Sequence, residues 1–200
     1  MYKKCVKRLI DIVISVVGLT ILIIPMLLFA LIIKIDSKGP VLFWQKRIGI
    51  HKNTFMMPKF RTMYVDTPGN VPTHLMVNPE KWITRVGKVY RKMSIDELPQ
   101  LWCVLKGEMS FIGPRPALWN QYDLIEERDK YNANDVRPGL TGLAQISGRD
   151  ELEIPVKAKL DGEYVEKLSF LMDMKCLVET VRVVLFHDGV VEGGTGAMKK

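Results

Sequence analysis

Residues 12–33 form an almost unbroken apolar run, interrupted only by Ser15, Gly18, Thr20 and Pro25. About 20 such residues, wound as a helix, are enough to cross a hydrocarbon core of roughly 30 Å, so this chain is expected to meet a membrane. A secretory leader is the first competitor, because Lys3, Lys4, Lys7 and Arg8 precede the run. The run is longer than the usual leader core of about 7 to 15 residues, and it ends in Ile33-Lys34-Ile35-Asp36 rather than in a small-residue cleavage site. The segment is therefore expected to be retained. Basic residues sit on both sides of it, with Lys34, Lys38, Lys46 and Arg47 following. Such flanks favour the cytoplasmic face, and a straight span would have to carry one cluster across. Pro25 lies near the middle, where a missing N–H and a bulky ring kink a helix. The expected arrangement is a re-entrant helix that enters, breaks at Ile24-Pro25 and returns to the same face. An ordinary bitopic span is the alternative, since one proline rarely prevents spanning.

The rest of the chain is read against that anchor. Two hundred residues, 48% of them hydrophobic, suffice for one domain with a real core. The formal charge of +7 suits an anionic phospholipid surface or a phosphorylated substrate. It would also suit nucleic acid, but no nucleic-acid motif is present and the basic residues are interleaved with apolar ones, so none is expected as a partner. Cys5, Cys103 and Cys176 lack metal-ligand spacing and are odd in number, which fits thiols in a reducing compartment. His51, His74 and His187 show no ligand spacing either.

After Gly39-Pro40, the segments 41–45 and 54–57 read as short strands joined by a turn at 49–53. Residues 66–79, with three prolines and a glycine, read as a loop. Leu98, Leu101, Trp102 and Leu105 repeat as one face of a helix that stops at Gly107. Residues 123–130 read as a solvated charged helix face, and 168–186 as a helix with a broad apolar side suited to core or membrane-surface packing. The glycine-rich tail lacks a Gly-Lys-Ser/Thr ending and is not a phosphate loop.

Chemistry concentrates near residue 96. Asp96 and Glu97 are adjacent carboxylates in Met93-Ser94-Ile95-Asp96-Glu97-Leu98-Pro99, and Gly113-Pro114-Arg115-Pro116 follows. An acidic pair can hold a divalent metal or attack phosphorus, and an arginine between prolines presents a fixed fork to phosphate oxygens. Ser94-x-x-Glu97 matches a capping box; alternatively Pro99 is the first helical residue and the pair lies just outside. Either places both carboxylates at a helix start, where the dipole favours ionisation. Stability alone also puts acids in first turns, so the surrounding cations matter. Lys59, Arg61, Arg85, Arg91, Arg137 and Arg149 complete the set, with Arg137 and Arg149 abutting Pro or Gly.

These residues resemble the bacterial sugar transferases, small monotopic phosphoglycosyl transferases that act on polyprenyl phosphate. The resemblance runs through Lys59-Phe60-Arg61-Thr62-Met63, Ile83-Thr84-Arg85-Val86-Gly87-Lys88 and Ser94-Ile95-Asp96-Glu97-Leu98-Pro99-Gln100-Leu101. It continues through Leu105-Lys106-Gly107-Glu108-Met109-Ser110-Phe111-Ile112-Gly113-Pro114-Arg115-Pro116, Arg137-Pro138-Gly139-Leu140-Thr141-Gly142, Gly148-Arg149 and Asp161-x-x-Tyr164. It implies a nucleophilic Asp96, a Glu97 that helps hold Mg2+, and a ping-pong transfer of a phosphosugar from a UDP-sugar to undecaprenyl phosphate with release of UMP. A single displacement with Asp96 as general base is the close alternative. Metal ligands would be Glu97 and Asp96; Lys59, Arg61, Arg91, Arg115, Arg137, Arg149 and Asp161 would contact phosphate or substrate. Ile24 stands where such proteins often carry serine, which could cap a broken backbone as isoleucine cannot.

The expectation is a mixed, helix-rich α/β fold: a membrane-embedded helix-break-helix over residues 1–38, a catalytic domain over 39–188 facing the cytoplasm, and a flexible tail over 189–200. A non-catalytic scaffold that binds anionic lipid is the rival from another class. The sugar carried and the oligomeric state are not legible.

Overall fold

The computed structural model describes residues 2–67, 79–148 and 152–186. The apolar run lies in a single helix, α1 (Lys7–Asp36), preceded by a wider helical turn at Tyr2–Val6. Only Asp11, Ser15 and Ile33 of α1 are buried, while Val17, Ile21, Ile24, Leu27 and Leu31 lie exposed. A water-soluble fold would not leave such a surface open, and lipid is the solvent that suits it. The expected break at Ile24-Pro25 is not an interruption: Pro25 sits inside the helix. A proline removes one backbone donor and leaves the other helical bonds of the segment to be made, so it need not end the helix.

Both ends of α1 are fastened to the same body. At the start, Arg8 donates to the carbonyls of Val104 and Leu105 at 2.6 and 2.7 Å, and Asp11 Oδ1 accepts from Ser110 Oγ and the Phe111 N–H at 3.1 Å. Tyr2 and Lys7 both donate to the Asp173 carboxylate. At the far end, Tyr90 donates to the carbonyl of Phe29 at 3.1 Å, and Arg61 holds the Ser37 and Lys38 carbonyls. Ile33 packs there with Phe60 and Tyr90.

The hairpin expected from the sequence is present. β1 (Leu42–Ile48) pairs antiparallel with β2 (Thr54–Phe60), from Leu42 opposite Phe60 to Ile48 opposite Thr54. Its turn, Ile50–Lys52, puts His51 and Lys52 in the left-handed region. Phe55 and Met57 of β2 pack on Cys103, Val104 and Met109. After α2 (Arg85–Lys92), capped by Thr84, a 3-10 turn at Ile95–Gln100 leads into α3 (Leu101–Lys106). Gly107 ends α3 at φ 88°, a left-handed C-cap that a side chain would strain, as the sequence indicated.

A second sheet was not foreseen. β3 (Ser110–Ile112) runs parallel to β4 (Gly139–Thr141), with α4 (Tyr122–Asp129) between them in the chain. Three-residue strands carry too short a period to be recognised in a sequence. A Cβ on Gly139 or Gly142 would collide with the backbone of Gly113, so the glycines of the Arg137 motif serve this close crossing. α5 (Leu143–Ile146), α6 (Ile154–Glu166) and α7 (Phe170–Phe186) complete the layer, packed through Ile112, Leu143, Tyr164 and Cys176. α4 is not wholly solvated as its charge implied, because Leu124, Ile125 and Arg128 are buried. The loop expected at 66–79 lies mostly outside the described residues, as does the tail.

Candidate active site

β2, the 3-10 turn, α2 and the segment after β3 bring five of the chain's charges together. Glu97 leaves the first turn of the 3-10 segment and meets Lys59 of β2, whose Nζ donates to Oε1 at 2.8 Å. Arg115 donates to the same oxygen at 2.6 Å and reaches Oε2 at 3.4 Å. Asp96 lies beside this trio, 9% exposed, within electrostatic reach of Lys59, Arg91 and Arg115. Arg91 is braced by Thr62, to whose Oγ1 its Nε donates at 2.9 Å.

The capping box is overturned here. Ser94 adopts a left-handed conformation, φ 56° and ψ 22°, and its side chain caps nothing. A capping box needs an extended first residue and a Glu free to fold back on it. The Ser94 N–H is instead bonded to the Arg91 carbonyl at 3.1 Å, and the Glu97 carboxylate is held by Lys59 and Arg115. Pro99 lies within the 3-10 turn, and the α-helix begins only at Leu101. A non-glycine residue at positive φ is uncommon, and here it turns the chain so that both acids face the basic cluster.

The adjacent carboxylates are driven apart in acidity. Burial pushes Glu97 up, but Arg115 and Lys59 together outweigh it and hold its carboxyl well below the usual range. Burial likewise pushes Asp96 up, Lys59 pulls it back, and the charge on Glu97 raises it again, leaving it at about 6. Burial lowers Lys59 against the pull of Glu97. Two carboxylates with such different environments suit different roles, one a fixed anion and the other a group that changes state near neutral pH.

Other expected site residues stand elsewhere. Arg61 is buried and holds the end of α1 through the Ser37 and Lys38 carbonyls. Arg137 donates from Nε to the Gly107 carbonyl at 2.8 Å, capping α3. Asp161 is sealed against Arg128, which donates to its Oδ2 from Nε at 2.8 Å and from Nη2. That bonding accounts for Asp161 as an internal ion-pair partner and places it with α4 rather than with Glu97. Arg149 lies outside the described residues.

Sequence reading missed Arg47, Gln45 and Gln100. Arg47 is electrostatically coupled to Lys59 and lines a cleft with Met57, Gln100, Arg115 and Pro116. The signal was available: with the hairpin recognised, period-two alternation puts Gln45 and Arg47 on one face, with Phe43 opposite Lys59 on that same face.

The sequence model of the family described as bacterial sugar transferase matches residues 2–187. The chain belongs to the bacterial sugar transferase family. Among relatives, the uncharacterized sugar transferase EpsL of Bacillus subtilis is 39% identical over 186 residues, 92% of this chain and 89% of EpsL. The UDP-glucose:undecaprenyl-phosphate glucose-1-phosphate transferase of Caulobacter vibrioides is 39% identical over 190 residues, 91% of this chain and 70% of that protein. The undecaprenyl-phosphate glucose phosphotransferase of Komagataeibacter xylinus is 40% identical over 190 residues, which cover 90% of this transferase but only 36% of the relative. The chain thus spans most of some relatives and about a third of another. The sugar transferase match includes α1 together with the basic cluster, so anchor and site belong to one family unit.

Proposed function

We propose that this sugar transferase moves a phosphosugar from a UDP-sugar to undecaprenyl phosphate, the first membrane step in assembly of a surface glycan. The observation that carries this reading is the charge distribution at the Asp96–Glu97 pair: three cations, Lys59, Arg91 and Arg115, face two carboxylates, and Arg47 adds positive charge beside Lys59. Surplus positive charge of this kind suits a diphosphate and the negative charge of its transition state. The Caulobacter and Komagataeibacter relatives, by their names, act on the same acceptor.

In this reading an Asp96 carboxylate oxygen attacks the phosphorus nearest the sugar. The bond from that phosphorus to the bridging oxygen breaks, and UMP leaves with the electron pair. An oxygen of undecaprenyl phosphate then attacks the same phosphorus, forming polyprenyl-diphosphate-sugar and returning Asp96. Dividing one displacement into two is the usual gain from a covalent nucleophile. Glu97, held ionised by Lys59 and Arg115, gathers both cations beside Asp96.

Two adjacent carboxylates fit Mg2+, a hard cation that takes one or two such ligands and completes its shell with water and phosphate. Among the described residues there is no group of three His, Cys, Asp or Glu side chains that could hold a metal, so a closed protein cage is not the fit. Glu97 and Asp96 would hold the ion, which would supply neutralisation of the diphosphate charge.

The re-entrant reading of α1 draws support from its fastenings. Arg8 and Asp11 at one end and Phe29, Ser37 and Lys38 at the other are bonded to one body, which supports a reading with both ends on one side of a membrane. That side is the cytoplasm in this reading. Exposed Cys5 and an introduced Lys38→Cys should both resist an impermeant thiol reagent added outside sealed cells, and both should react in inverted vesicles. External labelling of either would exclude the re-entrant form. The reaction is tested by UMP release from a panel of UDP-sugars with magnesium and undecaprenyl phosphate. UMP from one donor, lost in Asp96→Asn, supports the reading; none from any donor returns the scaffold to the front.

A further inference from the structure

The cleft beside the acidic pair brings three side-chain hydrogen-bond donors, Arg47, Gln100 and Arg115, together against Met57 and Pro116. Arg47 is held rigidly: Nε and Nη2 donate to Gln45 Oε1 at 3.1 and 2.6 Å, and Nη1 donates to the Pro116 carbonyl at 2.8 Å. Gln100, 2% exposed, lines the same cleft, and its side-chain nitrogen has no partner among the described residues. The cleft is too narrow for an ordered water to supply one. A buried donor without an acceptor is costly, and a methionine of similar length would fill the space without that cost. Arg115, whose side chain is 39% exposed and bonded to Glu97, forms one wall of the cleft.

We propose that Gln100 and Arg47, with Arg115, form an oxyanion subsite for a phosphoryl group of the substrates. The inference rests on the phosphosugar-transfer reading and adds two residues to it. Gln100 supplies a neutral donor, Arg47 a fixed charge and Arg115 a mobile one. As Arg115 turns from Glu97 to the phosphoryl group, it opens the cleft and releases a carboxylate oxygen of Glu97. The same chemistry is offered by the diphosphate of the nucleotide donor and by the monophosphate of the lipid acceptor.

Gln100→Met and Arg47→Gln in the full-length protein separate the possibilities. Titration calorimetry with inorganic phosphate and with UMP reads the subsite without turnover, and KM is measured for each substrate in turn. Gln100→Met should melt at or above wild type and bind phosphate at least about fivefold more weakly. One KM should rise about tenfold, by more than any change in kcat. A raised KM for the UDP-sugar assigns the subsite to the diphosphate, and a raised KM for undecaprenyl phosphate assigns it to the lipid. If Gln100→Met does not fold, Arg47→Gln carries the same measurements. Phosphate affinity and both KM values within twofold of wild type in the folded variants would overturn the proposal. A wild type that binds phosphate but transfers no sugar would defeat the proposed reaction and leave the subsite standing.

Discussion

Two of the buried acid–base clusters among the described residues are built on opposite plans. Between α4 and α6, Arg128 and Asp161 are hydrogen-bonded one to one, with side chains 4% and 1% exposed. Around Asp96 and Glu97, three cations meet two carboxylates with Arg47 close behind Lys59, and the Glu97 and Arg115 side chains remain 21% and 39% exposed. A matched and sealed pair has no charge left for a ligand, whereas an unmatched and open cluster has both charge and access. Asp161 and Asp96 are the same residue type, each beside an arginine. Balance and access separate structure from site.

The strongest test of that contrast is Asp96→Asn. Transfer should fall at least about a thousandfold, as removal of a nucleophile does, while the fold gains stability. Burial holds the Asp96 carboxyl above its unfolded value, at about 6, so its favourable contribution to stability is complete below about pH 4 and is lost as pH rises through 6. Asparagine escapes that loss. The variant should melt several degrees above wild type at pH 7.5 and equally with it near pH 4, by calorimetry.

The sealed pair should behave in reverse. Arg128→Met leaves a buried carboxylate unmatched and should cost about 3–5 kcal/mol, with turnover per folded molecule kept within a few-fold. Adding Asp161→Leu should restore most of the stability, since apolar replacement of a buried pair is often neutral. Denaturant titration of the single and double variants measures both effects. If the double variant loses turnover while stable, Asp161 belongs with the site after all.

A smaller effect is read from pH. In the proposed reaction Asp96 attacks as the ionised carboxylate, so kcat/KM should decline below about pH 6 rather than below the ordinary carboxylate value near 4. Glu97→Gln removes a neighbouring negative charge and should move that limb to lower pH while depressing the plateau. A limb unmoved by the substitution would mean that the two carboxylates are not coupled. The smallest effect belongs to Arg137→Ala, which loses the bond to Gly107: about 1 kcal/mol of stability and less than a threefold change in turnover.

How much of this was legible in the sequence varied with the range of the interactions. The apolar helix, the hairpin and the Gly107 stop are carried by local pattern, and Asp96, Glu97, Lys59 and Arg115, singled out by their charge, lie together in the structure. The partners of Arg61, Arg137 and Asp161 are not local. Arg137 meets a carbonyl 30 positions away and Asp161 an arginine 33 away, and no motif records such distances. Ser94 shows a second limit, because a four-residue signature cannot anticipate that Lys59 and Arg115 outcompete the backbone for Glu97. Asp11 shows a third. It stands one residue before the apolar run and belongs to no motif, yet it fastens α1 to β3.

The central claim is that Asp96 carries the phosphosugar, and intact-mass measurement tests it most directly. Wild type and Asp96→Asn are incubated with a reactive UDP-sugar and magnesium, without undecaprenyl phosphate. A phosphosugar adduct on the wild type alone, mapped to Asp96 and discharged when undecaprenyl phosphate is added, is the result expected. UMP that forms only when the acceptor is present, with no adduct at any time, would contradict it and leave Asp96 as a base in a single displacement.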